Sequence, residues 1–170
     1  MRTLVLVLSA TLTWAGAAAH GQDRSREEWT TFSGTWSAVG HRQTLRTETD
    51  RAAAIVQLSG TLALSNPAAS GLPVAFRAEA IGFDDGDGVG VGRAVWTDAR
   101  GDVVFSVLNG ERLETGRRIS GAITGGTGRY AGVTGDWDLT WQFVVETDEG
   151  EVHGRAGDVN GRFRRAGTRP

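Results

Sequence analysis

Four charged side chains on two consecutive strand candidates have the residue types that acid–base chemistry needs. Arg77 and Glu79 share one face of the first strand, opposite an apolar face, and Arg93 and Asp98 follow on the second. If a charged face points into an enclosed space, Glu79 and Asp98 become candidate catalytic acid and base groups. Arg77 and Arg93 would then orient an anionic substrate. The alternative is an ion pair on the surface, which would contribute little to stability.

Aromatic residues are the second set of candidates. Trp96 lies on the same strand as Arg93, and Trp141 lies on a strand candidate with strictly alternating apolar residues. We expect most aromatic side chains to fill a core, with two or three lining a pocket for a flat apolar ligand. The predicted ligand-binding residues are therefore Arg77, Arg93, Trp96 and Trp141.

Two further groups resemble metal sites without completing one. His41 and His153 lie on the first and last strand candidates, but no third ligand follows at a metal-like spacing. Segment 84–88 (Asp-Asp-Gly-Asp-Gly) begins like a calcium loop and lacks the remaining ligands of an EF-hand. We predict no metal site, and we predict that 84–88 is a solvated loop that could cover a pocket mouth.

Cofactor and nucleophile motifs are incomplete as well. Segment 126–131 fits the G-x-G-x-x-A pattern of dinucleotide-binding folds, but a strand candidate follows it where that motif needs a helix. Neither strand histidine has an evident serine and acid partner, so a hydrolase triad has no support. We therefore predict no cofactor.

The elements that would position these residues are short, regularly spaced strands. The run from Trp137 to Val145 alternates large apolar residues with mostly polar ones, which is the period of a half-buried strand. Similar runs predict eight strands, at 32–42, 54–64, 74–83, 91–98, 103–108, 117–124, 135–146 and 151–165. Turns are predicted at 98–102 and 148–150, and a single helical turn capped by Ser25 and Glu28 precedes the first strand.

Eight antiparallel strands with one apolar face each favour closure, because closure removes exposed sheet edges. Glycines inside the strands allow the strong coiling that a small barrel requires. The predicted fold is therefore all-β, a single eight-stranded antiparallel barrel, and the alternative is a β-sandwich. We expect the glycines of 125–135 to serve backbone geometry, with Tyr130 anchoring the bend.

Segment 125–130 (Gly-Gly-Thr-Gly-Arg-Tyr), followed by Gly132 and Gly135, resembles the glycine-rich motif of dirigent proteins. The allene oxide cyclases, which share their barrel, have a related segment. The resemblance implies an eight-stranded barrel with a central pocket. It also implies a protein that guides radical coupling or cyclises a substrate without a redox cofactor.

The first residues predict an exported protein. An arginine, an apolar stretch and the small residues of 17–19 form a signal-peptide pattern, so we divide the chain into a signal peptide (1–19), a lead segment (20–31), a barrel domain (32–165) and a tail (166–170). We expect a bacterial protein of the periplasm or the extracellular space. A formal net charge of −2 disfavours nucleic-acid binding, and no later segment is long and apolar enough to span a membrane.

Three functions remain open at this point. The first is an exported barrel that binds a small apolar or aromatic molecule. The second is a cofactor-independent cyclase, isomerase or coupling guide. The third is a structural or interaction domain whose barrel is filled by side chains. The volume of any central cavity distinguishes the third from the other two.

Overall fold

The computed structural model describes residues 29–165. The predicted signal peptide, the predicted helical turn at Ser25 and Glu28, and the tail at 166–170 lie outside the described residues. Within 29–165, no helix has the length and apolar character needed to cross a membrane.

Eight strands account for most of the described chain. They are β1 (Thr30–Arg46), β2 (Ala52–Leu64), β3 (Ala75–Asp84), β4 (Val89–Thr97), β5 (Val103–Arg112), β6 (Arg117–Gly126), β7 (Val133–Glu146) and β8 (Glu151–Arg165). A four-residue helix, α1 (Pro67–Ser70), lies between β2 and β3, and a single 3₁₀ turn, η1 (Gly128–Tyr130), lies between β6 and β7.

The strands form one closed antiparallel barrel in sequence order. Each strand pairs with the next, and β8 returns to pair with β1, with Val39 opposite His153 and Trp36 opposite Ala156. This closing pair leaves the sheet without an open edge. The barrel prediction is confirmed, and the sandwich alternative is wrong.

The two ends of the barrel differ in what closes them. The loops after β1, β3, β5 and β7 lie at one end, which we call the Asp84 end, and those after β2, β4 and β6 lie at the other, the Asp98 end. The Asp98 end is filled by aromatic side chains that are less than one-tenth exposed: Phe32, Phe76, Tyr130 and Phe163. None of these four residues lines the cavity described below.

All eight predicted strands are present, and the turns at 98–102 and 148–150 join the strands as expected. Several strands extend further than their apolar pattern, for example β5, which continues to Arg112 instead of ending at 108. The helix α1 was not predicted, because four residues are too few to show a helical period.

The glycine-rich segment before β7 has the backbone conformation expected for it. Gly125, Gly128 and Gly132 have φ values of 148°, 50° and 70°. Residues other than glycine rarely adopt such positive φ values. A Cβ at Gly128 would also collide with the Asp102 carboxylate. Tyr130 is only 1% exposed and anchors the turn inside the barrel, as predicted.

Candidate functional site

The barrel encloses a cavity of about 110 Å³ between its middle and the Asp84 end. Its two walls have different compositions. One wall, from β3, β4 and β5, is built of small residues: Ala78, Ala80, Gly82, Gly90, Gly92, Ala94 and Gly110. The facing wall, mainly from β1, β6 and β7, is large and mostly aromatic: Trp36, Ile119, Trp137, Leu139, Trp141 and Phe143.

The small residues create the space. Gly82 and Gly110 occupy inward positions of their strands, where a Cβ would meet only ordinary contacts, at 3.6 Å from the Val91 carbonyl oxygen and 3.8 Å from the Gly90 Cα respectively. Larger side chains could therefore be accommodated there, and they would occupy the cavity. The cavity follows from residue choice at a few inward positions and not from the barrel's strand number alone.

The aromatic rings at the cavity pack in pairs, and one pair includes Trp96 of β4. The Trp36 and Trp141 ring centroids lie 4.9 Å apart, and those of Trp96 and Trp137 lie 5.2 Å apart. Such tilted ring contacts stabilise each other beyond simple burial. These rings give the cavity a rigid flat side.

Hydrogen bonding fixes one of these rings. The Trp137 Nε1–H donates to the buried Ser106 hydroxyl across 3.2 Å, and the same indole packs directly on Gly121, where no side chain would fit. By contrast, the indole N–H groups of Trp36 and Trp141 are buried and have no hydrogen-bond partner. The wall therefore holds one indole N–H with an acceptor and two without one.

A charged cluster lies where the cavity reaches the Asp84 end. Asp84 occupies an inward position at the end of β3, its side chain is 8% exposed, and it accepts a hydrogen bond from Arg117. Arg112 lies 3.8 Å from the same Asp84 oxygen and is 54% exposed. Asp84 and Arg117 both line the cavity. We call these three residues the mouth cluster.

The loop beside the mouth cluster is held by its own contacts. The backbone N–H of Gly86 donates to Asp84 across 3.0 Å, and Arg51 donates to the Asp85 carbonyl oxygen at 3.1 Å and to the Asp87 carboxylate. The predicted solvated loop at 84–88 therefore borders the cavity, as expected, while its first residue is buried.

At the opposite end, Asp98 is the centre of a hydrogen-bonded knot. One carboxylate oxygen accepts the backbone N–H groups of Arg100 at 2.7 Å and Asp102 at 3.1 Å. The other accepts the Arg129 guanidinium at 2.8 Å and the Tyr130 hydroxyl at 3.1 Å. Burial acts to raise the pKa of Asp98, but these hydrogen bonds outweigh it and hold that pKa below its usual value.

The same knot perturbs its tyrosine. Burial, reinforced by the hydrogen bond to Asp98, raises the pKa of Tyr130 to about 12. The Arg129 guanidinium lies over the Tyr130 ring, 5.1 Å from its centroid. These three side chains close the Asp98 end, and none of them lines the cavity.

Of the four charged residues predicted for the site, Glu79 borders the cavity, and Arg77, Arg93 and Asp98 do not. Arg77 and Glu79 face outward and pair with each other at 2.7 Å, with 68% and 39% of their side chains exposed. Arg93 is also exposed and donates to the Gly92 carbonyl oxygen. The surface ion pair, which was the alternative for Arg77 and Glu79, is the arrangement seen, because the apolar alternate residues of β3 take the inward positions. Asp98 is buried, but its oxygens are already occupied by local donors.

The predicted aromatic residues are placed differently. Trp96 and Trp141 both line the cavity, so a ligand role for them stays a proposal with a geometric basis. His41 and His153 lie on paired strands, as expected, and His153 contacts Glu151 at 3.1 Å. No group of three or more potential metal ligands occurs among residues 29–165.

Asp84 and Arg117 line the cavity but were not predicted to do so. Both continue the inward alternation of their strands, since Asp84 follows Gly82 and Arg117 precedes Ile119. This alternation of inward and outward positions was the feature of the sequence that could have identified both residues. It was obscured because Asp84 begins a run of acidic and glycine residues that is typical of a solvated loop.

Comparison with known proteins finds a solved structure with a similar fold. The chain matches no protein-family model, and it matches no curated protein. Among solved structures, a pterocarpan synthase dirigent protein is similar, with a TM-score of 0.52 and 12% identity over 92% of this chain and 100% of the other. At this identity the likeness concerns the fold. The chain has a dirigent-like, closed eight-stranded β-barrel.

Proposed function

We propose that this protein binds a small apolar or aromatic molecule in the barrel cavity. The observation that carries the proposal is the pair of unlike walls, one aromatic and one of glycine and alanine, around an open volume. A flat ring fits between such walls with large contact area and little desolvation of polar groups. A barrel filled by side chains would lack this volume.

The volume indicates the size of the bound group. An engineered apolar cavity of about 150 Å³ holds a benzene molecule, and the present cavity is about 110 Å³. One ring or a short branched chain therefore matches the enclosed part. A larger ligand would extend past the mouth cluster into solvent.

Tryptophan fluorescence can test binding directly, because four of the five tryptophans within residues 29–165 line the cavity: Trp36, Trp96, Trp137 and Trp141. The mature chain is titrated with toluene, indole, phenolics and short fatty acids. We expect a saturable fluorescence change with at least one aromatic probe. The absence of saturable binding across the panel would overturn the proposal.

Cavity-filling variants make the test specific. Gly82→Val and Gly110→Val place a side chain in the cavity without a backbone clash, so both should abolish binding while the protein stays folded. Gly157→Val is the matched control, because Gly157 is exposed on β8 and a Cβ there meets nothing within 4 Å. Equal binding by all three variants would place the ligand elsewhere.

A second candidate is a cofactor-independent cyclase, isomerase or coupling guide. The similar solved structure is a dirigent protein named as a synthase, and Asp84 places a mostly buried carboxylate at the cavity. A carboxylate in that position could exchange a proton with a bound aromatic intermediate. In this candidate the acid–base role passes from Glu79 and Asp98 to Asp84.

Product analysis separates the two candidates. Phenoxy radicals generated from a simple phenol by an external oxidant couple to a mixture of isomers. A changed isomer ratio with the wild-type protein, lost in Gly82→Val, would support guidance. An unchanged isomer ratio together with saturable binding would support the binding function and contradict the guidance function.

Export belongs to the same proposal. Its support is the signal-peptide pattern of residues 1–19. Fractionation of a bacterial host that expresses the full chain should recover a shortened protein outside the cytoplasm. Recovery of the full-length chain in the cytoplasm would contradict export.

A further inference from the structure

We propose that the ligand of this cavity is an organic anion, with its apolar group between the two walls and a carboxylate at the mouth cluster. The inference rests on the proposed binding function and adds the chemical class of the ligand. It depends on three residues, Asp84, Arg112 and Arg117, whose charges do not balance.

The imbalance is visible in the contacts. Arg117 and Arg112 both approach the same oxygen of Asp84, Arg117 in a direct hydrogen bond and Arg112 at 3.8 Å. Two guanidinium groups therefore share one carboxylate at the end of an apolar cavity. Among residues 29–165, the ion pairs include no second carboxylate for either arginine.

Two of the neighbouring acidic residues pair with other arginines, whereas Asp85 and Glu114 on the adjoining loops are in no ion pair among the described residues. Asp87 pairs with Arg51 across the adjacent loop, and Glu111, next to Arg112 in sequence, lies 3.9 Å from Arg118 on the outer surface. Within the mouth cluster itself, two guanidinium groups share one carboxylate. An incoming carboxylate would find guanidinium donors there whose single acidic partner is Asp84.

The two arginines have different freedom. Arg117 is 19% exposed and held by Asp84, so it fixes the geometry of the cluster. Arg112 is 54% exposed, and its ion-pair distance is long. Arg112 can therefore turn toward a ligand without leaving Asp84 unpaired. It is the residue that would bind the ligand carboxylate.

The experiment compares a charged probe with its neutral isostere, 4-phenylbutyrate and 4-phenylbutyramide, by calorimetry at low salt. Both carry one phenyl ring on a short chain, so they share the apolar part and differ in charge. We expect the carboxylate to bind about fivefold more tightly, as a partly exposed ion pair allows. Raising the salt from about 0.02 M to about 0.5 M should reduce that ratio.

Variants assign the effect to Arg112. Arg112→Gln should bring the ratio of the two affinities close to one and leave amide binding within about twofold of wild type. Arg118→Gln is the matched control, because Arg118 is similarly exposed at 61% and faces outward from the neighbouring strand. It should keep the wild-type ratio, and thermal unfolding checks that both variants are folded.

The outcomes are distinguishable. If both probes bind with equal affinity to wild type, or if Arg112→Gln keeps the wild-type ratio, the anion inference is wrong and the proposed binding function stands. If neither probe binds, the inference and the binding of ring-sized ligands in this cavity both fail. A ratio lost in Arg112→Gln and kept in Arg118→Gln supports the inference.

Discussion

The Tyr130 hydroxyl donates to Asp98 across 3.1 Å and joins the turn before β7 to the turn after β4. Both residues are buried, and Arg129 adds a guanidinium to the same carboxylate. This contact explains why the glycine-rich segment carries one large aromatic residue. It makes the Asp98 end a structural closure, opposite the cavity.

The free energy of unfolding should decrease at low pH because the Asp98 carboxylate becomes protonated. Its pKa is lowered in the folded protein, so the native state favours the charged carboxylate. The resulting stabilisation is present above the unfolded pKa, near pH 4, and is lost as pH falls through the folded value. Denaturant unfolding between about pH 2 and pH 6 measures it. Asp98→Asn should be less stable at pH 6 and show a smaller loss in acid; an identical pH profile would contradict this assignment.

The Tyr130 hydroxyl should lose its proton at a higher pH in the folded protein than in the unfolded protein. It is the single tyrosine of the chain, so absorbance of tyrosinate near 295 nm reports this residue alone. The midpoint should lie near 12 in the folded protein and near 10 after unfolding in guanidinium, which is the ordinary tyrosine value. Because the folded pKa is the higher one, this contribution to stability is present below pH 10 and is lost as pH rises toward 12. A folded midpoint at 10 would refute the buried contact.

Substitutions in the glycine-rich turn should affect stability first. Gly128→Val should cost about 1–3 kcal/mol, because φ is positive and the side chain would meet Asp102. Tyr130→Ala should cost about 3–5 kcal/mol through lost packing. Thermal unfolding and ligand affinity are measured together, with Gly157→Val as the unstrained control. Unchanged melting temperatures combined with lost binding would instead make this segment a ligand site.

Removing Ser106 should weaken the aromatic wall. Ser106→Ala leaves the Trp137 indole N–H without its acceptor inside the core, and we expect a loss of about 1–3 kcal/mol. Chemical denaturation measures the change in the free energy of unfolding. Ser120→Ala, on the exposed face of the adjacent strand, is the control and should be nearly neutral. Equal effects of both substitutions would argue against the hydrogen bond.

The mouth cluster should show coupling between its partners. Arg117→Gln leaves the mostly buried Asp84 carboxylate with the Gly86 N–H and its distant second arginine as partners, and we expect a cost of about 1–3 kcal/mol. Adding Asp84→Asn should restore part of that stability, because it removes the unpaired charge. A double-mutant cycle by thermal unfolding measures the coupling. Strictly additive effects would show that the two side chains do not interact.

The sequence alone determined the architecture. Alternating apolar residues, such as those from Trp137 to Val145, specify strands because a period of two puts one face in the core. Eight such strands with short turns favour a closed barrel, and the structure has that closure. The glycine-rich turn was also predictable, since positive φ is a local property of Gly128.

The site was decided by the tertiary structure. Alternation shows that Arg77 and Glu79 share a face, but only the closed barrel establishes that this face is the outer one. Asp84 and Arg117 are 33 residues apart and meet because β3 ends and β6 begins at the same end of the barrel. The cavity likewise depends on small residues of β3, β4 and β5 lying opposite Trp36 and Trp141. Such long-range relations depend on register and closure, which no local pattern in the chain encodes.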